Sequence, residues 1–487
     1  MLVWSYVGLS IAAFGWILLT GTDFSNDDLD FFMYLHRGDL LQLMLTPLNE
    51  HWVPFHRLSS WLVYRPGAMR LEVAVVILLA FHLMAVVYLR ATLRRVGIGT
   101  AADVLTCAYA SCAFLLFGLI GFANAQLRVP HVALCMMAIY HYLAWLDGGR
   151  PRHLWLAAVA FGLDLCVYQK AVLLPVYMGV AGWLALPQRF RAEPFKAVLL
   201  PACLLLVSIA VVVFYKLKIP SGFSLTLPGI IDFEWRMVGM LLAGILGVNA
   251  DTLTADFSLD RRLLWAALGT WLVAATASIA LARGAWKAWA ALLLVAALDF
   301  LPLTSSNRMF MGEAVIHYYR YYYESIFLVF LLLGLVSVQH VRSPGFRIAP
   351  LHARALAVAT LAIWAVLQFA SLEHARAHNY DFVLGAQVRP YMRSLRASLA
   401  RIDEARPVFK DSAVPGYMFF MSEPDLSSRI VPLLMPRARF EQDPESYHLV
   451  LESGEVVRRT RAPSVARPAA AAAAEATQGP PQQPRQP

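Results

Sequence analysis

Eleven long apolar runs recur along the first 372 residues, and shorter segments rich in charge separate them. The runs cover 2–20, 71–90, 103–122, 131–146, 154–163, 171–186, 197–215, 263–282, 288–303, 325–341 and 355–372. Most of them approach the roughly 20 apolar residues that a helix needs to cross a bilayer. The pattern predicts an all-α polytopic membrane protein with about 11 transmembrane helices.

The composition agrees with this prediction. Of the 487 residues, 59% are apolar and 15% are charged, whereas a soluble domain has roughly 45–50% apolar and about 25% charged residues. The net charge of +9 does not indicate nucleic acid, because Lys and Arg collect in loops between membrane helices. All five cysteines lie in or beside apolar runs, where a thiol behaves as a small hydrophobe. They indicate neither a disulfide framework nor a metal site.

The distribution of basic residues predicts the orientation, because short loops rich in Lys and Arg stay cytoplasmic. Such loops lie at 90–95, 150–152, 189–196, 283–287 and 342–354. Alternation then places the first long loop, 21–70, outside the cytoplasm, together with 121–130, 216–262, 304–324 and everything after 373. The apolar run Met237–Val248 would reverse this order if it crossed the membrane. It has about 12 residues, too few to span, so we interpret it as re-entrant or interfacial.

The pattern of the chain changes after residue 373. Residues 374–460 predict a small extracytoplasmic α/β domain, following a transmembrane domain of residues 1–373. Its first element, Asn379–Glu404, has apolar residues at helical spacing and several arginines, which is typical either of a helix packed on the domain or of an interfacial helix that binds lipid phosphates. Strands are predicted at 407–409, 429–435 and 447–457, the last around a Ser453–Gly454 turn. The tail 461–487, rich in Ala, Pro and Gln, is expected to be disordered.

The first outer loop carries an acidic cluster. If a helix continues from the first span, Asp23, Asp27 and Asp30 share one face, and Asp28 points about a quarter-turn away. Clustered carboxylates raise one another's pKa, which suits a proton-accepting base or a cation site. The alternative is that they only cap and solvate the next helix.

Further ionisable residues follow in the same loop. The segment "LNEHWVPFHR" carries Glu50, His51, His56 and Arg57. Glu50 and His51 could act as acid, base or metal ligands, and Arg57 is a natural phosphate partner through its planar donor fork. Adjacent residues do not share a helix face, so Glu50 and His51 are a weak zinc motif.

Two later segments add charge. "LDLCVYQKAVLLP" interrupts an apolar stretch with Asp164 and Lys170, and ionisable groups at membrane depth are costly, so they either pair or serve a function. "NRMFMGEAVIHYYRYYYES" places a basic and tyrosine-rich cluster before a late span. Its notable residues are Arg308, Glu313, His317, Arg320 and Tyr321. Most tyrosines there fit an interfacial belt, whereas Arg320 among them is typical of an anion clamp.

These features together resemble the GT-C class of membrane glycosyltransferases, which take a sugar from a polyprenyl-phosphate carrier. The features are the acidic end of the first span, the extended first loop, the Lys-bearing break, the Arg-Tyr cluster and the external C-terminal domain. The likeness covers most of residues 1–460 as an arrangement, and its best local motif is "NDDLDF". The sequence departs from the class pattern after Lys170, where no Glu follows.

The resemblance implies roles for the candidate residues. Asp27 or Asp28 matches the acidic residue that activates the acceptor, generally with inversion at the sugar, and Lys170 and Arg320 match the basic positions that hold the carrier phosphate. The candidate catalytic residues are Asp27, Asp28 and Glu50. The candidate substrate-binding residues are Asp30, His51, His56, Arg57, Lys170, His317, Arg320 and Tyr321.

The function expected from sequence is thus a hexosyl- or pentosyltransferase of the cell envelope. Its partners would be a polyprenyl-phosphate-sugar donor, a glycan, lipid or protein acceptor, and the membrane, with no nucleic acid. No cofactor is predicted, and a divalent cation is left open. We expect a multi-pass protein of the bacterial inner (plasma) membrane with an extracytoplasmic active site. A transporter or flippase of a lipid-linked or anionic substrate is the main alternative, and an assembly scaffold is the third.

Overall fold

The computed structural model describes residues 2–47, 52–218, 227–253, 259–304, 311, 314–343, 350–419 and 426–460. Glu50, His51, Arg308, Glu313 and the tail 461–487 therefore lie outside the described residues. The chain forms two compact units. Among the described residues, the first comprises those up to Arg389 together with 417–419, and the second comprises Pro390–Gly416 together with 426–460.

The first unit is a bundle of α-helices. They are α1 (Leu2–Gly21), α2 (Asp27–Arg37), α3 (Leu40–Leu45), α4 (Pro54–Tyr64), α5 (Leu71–Arg95), α6 (Thr100–Ala110), α7 (Leu116–Leu119), α8 (Phe122–Gly148), α9 (Pro151–Leu165), α10 (Leu174–Ala185), α11 (Pro187–Ala192), α12 (Pro194–Lys218), α13 (Leu227–Ile245), α14 (Arg261–Leu281), α15 (Ala285–Thr304), α16 (Ala314–His317), α17 (Tyr323–Arg342), α18 (Pro350–His378) and the start of α19 (Tyr380–Leu399). Short 3₁₀ turns at Ala113–Leu115, Gln169–Leu173 and Tyr319–Tyr322 connect some of them.

Eight of the described helices are long and apolar enough to cross a bilayer, and α6 with the bent segment Ala113–Leu119 makes up to nine. These helices coincide with nine of the eleven predicted runs. The other two runs form the shorter helices α9 and α10, with 15 and 12 residues. The predicted all-α polytopic membrane fold is confirmed.

Contacts between loops define two ends of the bundle. At one end, Arg95 pairs with Asp147 at 3.1 Å, and the Tyr142 hydroxyl donates to the Ala197 carbonyl at 2.6 Å. This basic end carries the predicted cytoplasmic loops. At the opposite end, residues 22–47, 52–70, 121–124, 166–173, 299–304, 319–324 and 378–381 come together through the contacts described below. We call this the site end.

The helices beside α13 show where that helix lies. The Tyr215 hydroxyl, near the end of α12, bonds both backbone groups of Trp52 in the first loop, with N···O and O···O distances of 3.1 and 3.0 Å. The late α14 residue Ser278 bonds His340 at 2.8 Å, close to the basic end of α17. Thus α12 ends and α14 begins at the site end, and the segment that holds α13 starts and finishes there. This geometry agrees with the interpretation of Met237–Val248 as re-entrant or interfacial.

The second unit contains a small sheet in the order β2-β1-β3-β4, with strands β1 (Val408–Phe409), β2 (Arg439–Phe440), β3 (Ser446–Val450) and β4 (Val456–Thr460). Strand β1 pairs in parallel with β2 and β3, and β3 pairs antiparallel with β4. The predicted hairpin around Gly454 is confirmed. Gly454 has φ +79°, and a Cβ there would lie 2.4 Å from the Tyr391 carbonyl oxygen, so the turn requires glycine. A C-terminal α/β domain is present as predicted.

The predicted strand at 429–435 is wrong. A 3₁₀ turn at Ser427–Arg429 and helix α20 (Val431–Leu434) occupy this segment. Pro432 lies in the first turn of α20, where its fixed φ suits a helix and its missing N–H would weaken a strand. The strand next to β1 at this edge of the sheet is instead β2, which is only two residues long. In α19, Met392, Leu395 and Leu399 are buried while Arg393 is exposed, which favours the packed helix over the interfacial one.

Thiol labelling tests the position of α13. In a background with Cys166 and Cys203 replaced by Ala, single variants Lys218→Cys and Asp260→Cys should react with a membrane-impermeant maleimide from the same side of sealed vesicles. Arg94→Cys should react only from the opposite side. Labelling of Lys218→Cys and Asp260→Cys from opposite sides would show that α13 crosses the membrane.

Candidate active site

The acidic cluster begins helix α2 at the site end. Residues 22–26 are not helical, so Asp23 does not lie on a helix with Asp27 and Asp30, and the expected shared face of three carboxylates is wrong. The break occurs at Asn26, which has φ +49°, a conformation that Asn tolerates better than most residues. Asp27, Asp28 and Asp30 occupy the first turn of α2, where negative charge is favourable.

The Asp28 carboxylate is buried and hydrogen-bonded to the backbone. It is 3% exposed, and its carboxylate accepts the backbone N–H of Ala123 at 2.6 Å and that of Ser25 at 3.3 Å. It therefore closes the N-terminus of α8, where Gly121 has no side chain to do so. Burial raises the pKa of Asp28 to about 7. The adjoining cavity has a volume of about 10 Å³, room for about one water molecule.

Asp27 differs from its neighbour because its side chain is exposed. Its carboxylate accepts one long hydrogen bond, at 3.4 Å, from the Asn124 amide. It also lies within electrostatic range of the Arg320 guanidinium. An accessible carboxylate beside a fixed cation is a suitable arrangement for a general base.

Arg320 is held from several sides. Its guanidinium pairs with Asp381 at 3.3 Å and lies over the ring of Tyr318, 5.3 Å from the centroid. Its backbone carbonyl accepts a hydrogen bond from Arg128. Tyr321 contributes its ring to the guanidinium of Arg128, at 4.8 Å. Arg320 is thus positioned at the site end, and one carboxylate balances its charge.

Lys170 lies in a buried network of charges. Its ammonium contacts Asp299 and Glu324, each at an N···O distance of 3.1 Å, and Arg128 approaches Glu324 at 3.6 Å. The hydroxyls of Tyr177 and Ser325 donate to Asp299. All four charged side chains are 5% exposed or less. We call these four residues the charge network.

The charge network is neutral, with two cations and two anions, and it joins α8, the turn Gln169–Leu173, α15 and α17. Lys170 does not pair with Asp164, which the sequence left open, and its charge is already balanced by two carboxylates. Removing one member of such a buried group costs about 3–5 kcal/mol, because it leaves an uncompensated charge. Its first effect is therefore to hold four elements of the bundle in place.

Asp164 belongs to a second buried group. Its carboxylate accepts from His131 Nδ1 at 2.9 Å and from the Cys135 thiol at 3.3 Å, and one donor atom from each side chain lies within 4.8 Å of the others. Nitrogen, sulfur and oxygen donors together fit a cation such as Zn²⁺. The hydrogen bonds among these residues also satisfy them without one. All three are completely buried, so a cation there would be structural.

Of the remaining candidate residues, His56 and Arg57 are buried, and Asp30 and His317 are half-buried. His56 is 1% exposed, and its Nε2 contacts the Ala123 carbonyl and the Gln126 amide at 3.1 and 2.9 Å, so it packs α4 against α8. Arg57 is 3% exposed and lies over the rings of Phe31 and Tyr34.

Sequence reasoning missed four residues of the site end: Arg128, Asp299, Glu324 and Asp381. Asp299 had a usable signal, since it is an acidic residue inside the apolar run 288–303, and ionisable groups at membrane depth are functional candidates. Arg128 and Glu324 border apolar runs in the same way. Asp381 is 61 positions from its partner Arg320, and no local pattern marks it.

Comparisons with known proteins found solved structures that are similar to this chain. No family model and no curated protein matches the chain. One similar structure is the archaeal oligosaccharyltransferase AglB from Archaeoglobus fulgidus in complex with an inhibitory peptide and a dolichol-phosphate, with 12% identity and TM-score 0.40 over 83% of this chain and 58% of that chain. Another is an oligosaccharyltransferase of the same organism in complex with Zn and sulfate, with 11% identity and TM-score 0.35 over 90% and 62%. The chain spans about three fifths of the length of these structures. At these low scores, the role of each residue rests on the geometry above.

The first prediction from this geometry concerns Asp28. Its folded pKa of about 7 lies above the unfolded value of about 3.9, so the stability it contributes is full below about pH 4 and is lost as the pH rises to about 7. Asp28→Asn keeps an acceptor for the Ala123 N–H and never ionises. Its melting temperature at pH 7 should equal or exceed that of the wild type, and the difference should vanish at pH 4. A lower melting temperature for Asp28→Asn at pH 7 would contradict this account.

The second prediction concerns the charge network. Lys170→Met leaves Asp299 without its cation and should lower the free energy of unfolding by about 3–5 kcal/mol. The double variant Lys170→Met/Asp299→Asn removes both charges and leaves the Arg128–Glu324 pair, so it should recover most of the loss. Unfolding in mixed micelles measures both. Equal stability of Lys170→Met and the wild type would show that the network does not hold the bundle.

Proposed function

We propose that this protein is a membrane glycosyltransferase that moves a sugar from a polyprenyl-phosphate carrier to a glycan, lipid or protein acceptor of the cell envelope, with inversion. One observation carries the proposal. Among the described carboxylates of the charge network and of the first turn of α2, Asp27 is the exposed one. Its carboxylate accepts one long hydrogen bond, from Asn124, and lies in electrostatic range of Arg320. The site therefore offers an accessible proton acceptor within electrostatic range of a cation.

The proposed reaction uses these two groups in one displacement. Asp27 takes the proton of the acceptor hydroxyl as its oxygen attacks the anomeric carbon. The bond from that carbon to the phosphate oxygen breaks, and the electron pair leaves on the phosphate. Arg320 stabilises the charge that develops there, because a fixed cation at a shielded site costs no reorganisation. A single displacement inverts the configuration of the sugar.

The location of Asp27 supports a lipid-linked donor. The site end lies where the spanning helices finish, so a carrier phosphate could reach it while the apolar chain stays among the lipids. Only 6% of the apolar window of α14 is buried inside the protein, so the outer surface of this helix is available to such a chain. We place the site on the extracytoplasmic face of a bacterial inner (plasma) membrane, because the basic loops gather at the opposite end.

The charge network is the observation that brings in a second candidate function, a transporter or flippase of a lipid-linked or anionic substrate. Buried ionisable residues at membrane depth often form ion or proton pathways. Each charge in this network is balanced within it, which suits a structural role more than a conducting one. Transport by purified protein in sealed vesicles, without any sugar transfer, would favour the transporter.

The central test is Asp27→Asn, which is nearly isosteric and removes the proton acceptor. Loss of a general base costs about 10²–10⁴ in rate, so sugar transfer by the purified variant should fall by that order while its melting temperature stays unchanged. Asp39→Asn is the matched control in the same loop. Asp39 caps α3 through the Gln42 N–H at 3.1 Å, and Asn caps helices as well as Asp, so transfer should persist.

Mass spectrometry of envelope glycans and glycolipids from a deletion strain, complemented with either variant, gives the assay when the acceptor is unknown. Product should return with Asp39→Asn and stay absent with Asp27→Asn. Restoration of the product by Asp27→Asn would assign the acidic cluster to structure alone.

A further inference from the structure

Arg57 is a buried cation for which the described part of the chain supplies no counter-ion. It is 3% exposed, and its Nη1 is buried with no hydrogen-bond partner. Among the residues that the structure describes, no carboxylate or carbonyl oxygen contacts its guanidinium. By contrast, Lys170 has two carboxylates and Arg320 has one.

Aromatic rings form the surroundings of Arg57. The guanidinium carbon lies 5.2 Å from the ring centroid of Phe31 and 5.8 Å from that of Tyr34. Ring faces attract a cation, but they remove no net charge and leave the in-plane N–H groups without acceptors. Burial lowers the pKa of Arg57, which agrees with the absence of an anion. A desolvated, unpaired guanidinium is costly, so its surroundings favour a bound anion.

The position of this cation relates it to Asp27. Phe31 and Tyr34 follow Asp27 on α2 at i+4 and i+7, so the three residues lie on one face of the helix. One helical turn advances about 5.4 Å. Arg57, on α4, thus lies along the same face of α2 as the exposed carboxylate, one to two turns away. A sugar ring has about the length of one helical turn, so it fits between the Asp27 carboxylate and the Arg57 guanidinium.

We propose that Arg57, between Phe31 and Tyr34, binds the phosphate of the lipid carrier, which is a diester in the sugar-loaded donor and a monoester in the carrier released after transfer. This inference rests on the proposed function and deepens it, because it names the residue that holds the donor. The planar guanidinium forms two parallel hydrogen bonds to phosphate oxygens, and a Lys ammonium does not. Lys170 then holds helices of the bundle together, and Arg57 supplies the positive charge that binds the phosphate.

Two sources could supply this phosphate. The released carrier ends in a monoester with two ionisable oxygens, whereas a membrane phospholipid presents a diester with a bulky headgroup. The test therefore uses farnesyl phosphate as the monoester and phosphatidylglycerol as the diester. Both are added to the full-length protein in nanodiscs of phosphatidylcholine, and binding is followed by native mass spectrometry and thermal unfolding.

Three variants sharpen the test. Arg57→Gln removes the charge, and Arg57→Lys keeps the charge but loses the fork. Arg65→Gln is the matched control, since Arg65 ends the same helix and also lies over a ring, that of Tyr64 at 5.1 Å, yet is exposed. Arg57→Gln removes an unpaired buried charge, so it should unfold at the wild-type temperature or above it without ligand.

The wild type and Arg65→Gln should bind farnesyl phosphate with equal dissociation constants. Arg57→Gln should bind it about 10–100-fold more weakly, as expected for a lost hydrogen bond to a charged group, and Arg57→Lys should fall between them. Equal affinity in Arg57→Gln and the wild type would overturn the proposal. Binding of phosphatidylglycerol as tightly as farnesyl phosphate would also overturn it, because the site would then take a lipid headgroup.

Binding and transfer separate this inference from the proposed function. Loss of farnesyl phosphate binding in Arg57→Gln, with no sugar transfer by any form of the protein, would support the phosphate site and refute the transferase. Loss of transfer in Asp27→Asn, with normal phosphate binding in Arg57→Gln, would support the transferase and refute the role of Arg57.

Discussion

The rest of the structure depends on the charge network, in which Lys170 contacts Asp299 and Glu324 and Arg128 approaches Glu324. Four charges in an apolar interior are tolerated only when they balance one another. Because the four residues come from α8, α15, α17 and the turn between α9 and α10, their balance determines how these elements meet. The backbone of Arg320, bonded by Arg128, is in turn placed by the network.

Burial separates the acidic residues of the first loop into different roles. Asp28 and Asp27 are adjacent, yet the first is enclosed and bonded to the start of α8 while the second faces solvent beside Arg320. A helix turns 100° per residue, so neighbouring positions look in different directions. The same rule places Phe31 and Tyr34 below Asp27 and brings the unpaired Arg57 to that face.

Apolar run length predicted the candidate membrane-spanning helices of the described chain, and the basic loops marked one end of the bundle. Sequence spacing also singled out Asp27, Lys170, Arg320 and Arg57. It could not tell which of Asp27 and Asp28 is enclosed, because that depends on how α2 packs against the start of α8. Nor could it find the partners of Lys170, since Asp299 lies 129 positions away and pairing over that distance is decided by helix packing.

Helix α9 has 15 residues, about 22 Å at 1.5 Å per residue, and its Trp155, Val159 and Leu163 face outward. The hydrocarbon core of a bilayer is about 30 Å thick, so the apolar wall that α9 presents is too short for it. Lipids adapt to such hydrophobic mismatch by thinning the bilayer locally. The membrane beside the break at 166–173 would then dip toward the site end, shortening the path between a lipid-anchored phosphate and the water-exposed groups of the protein.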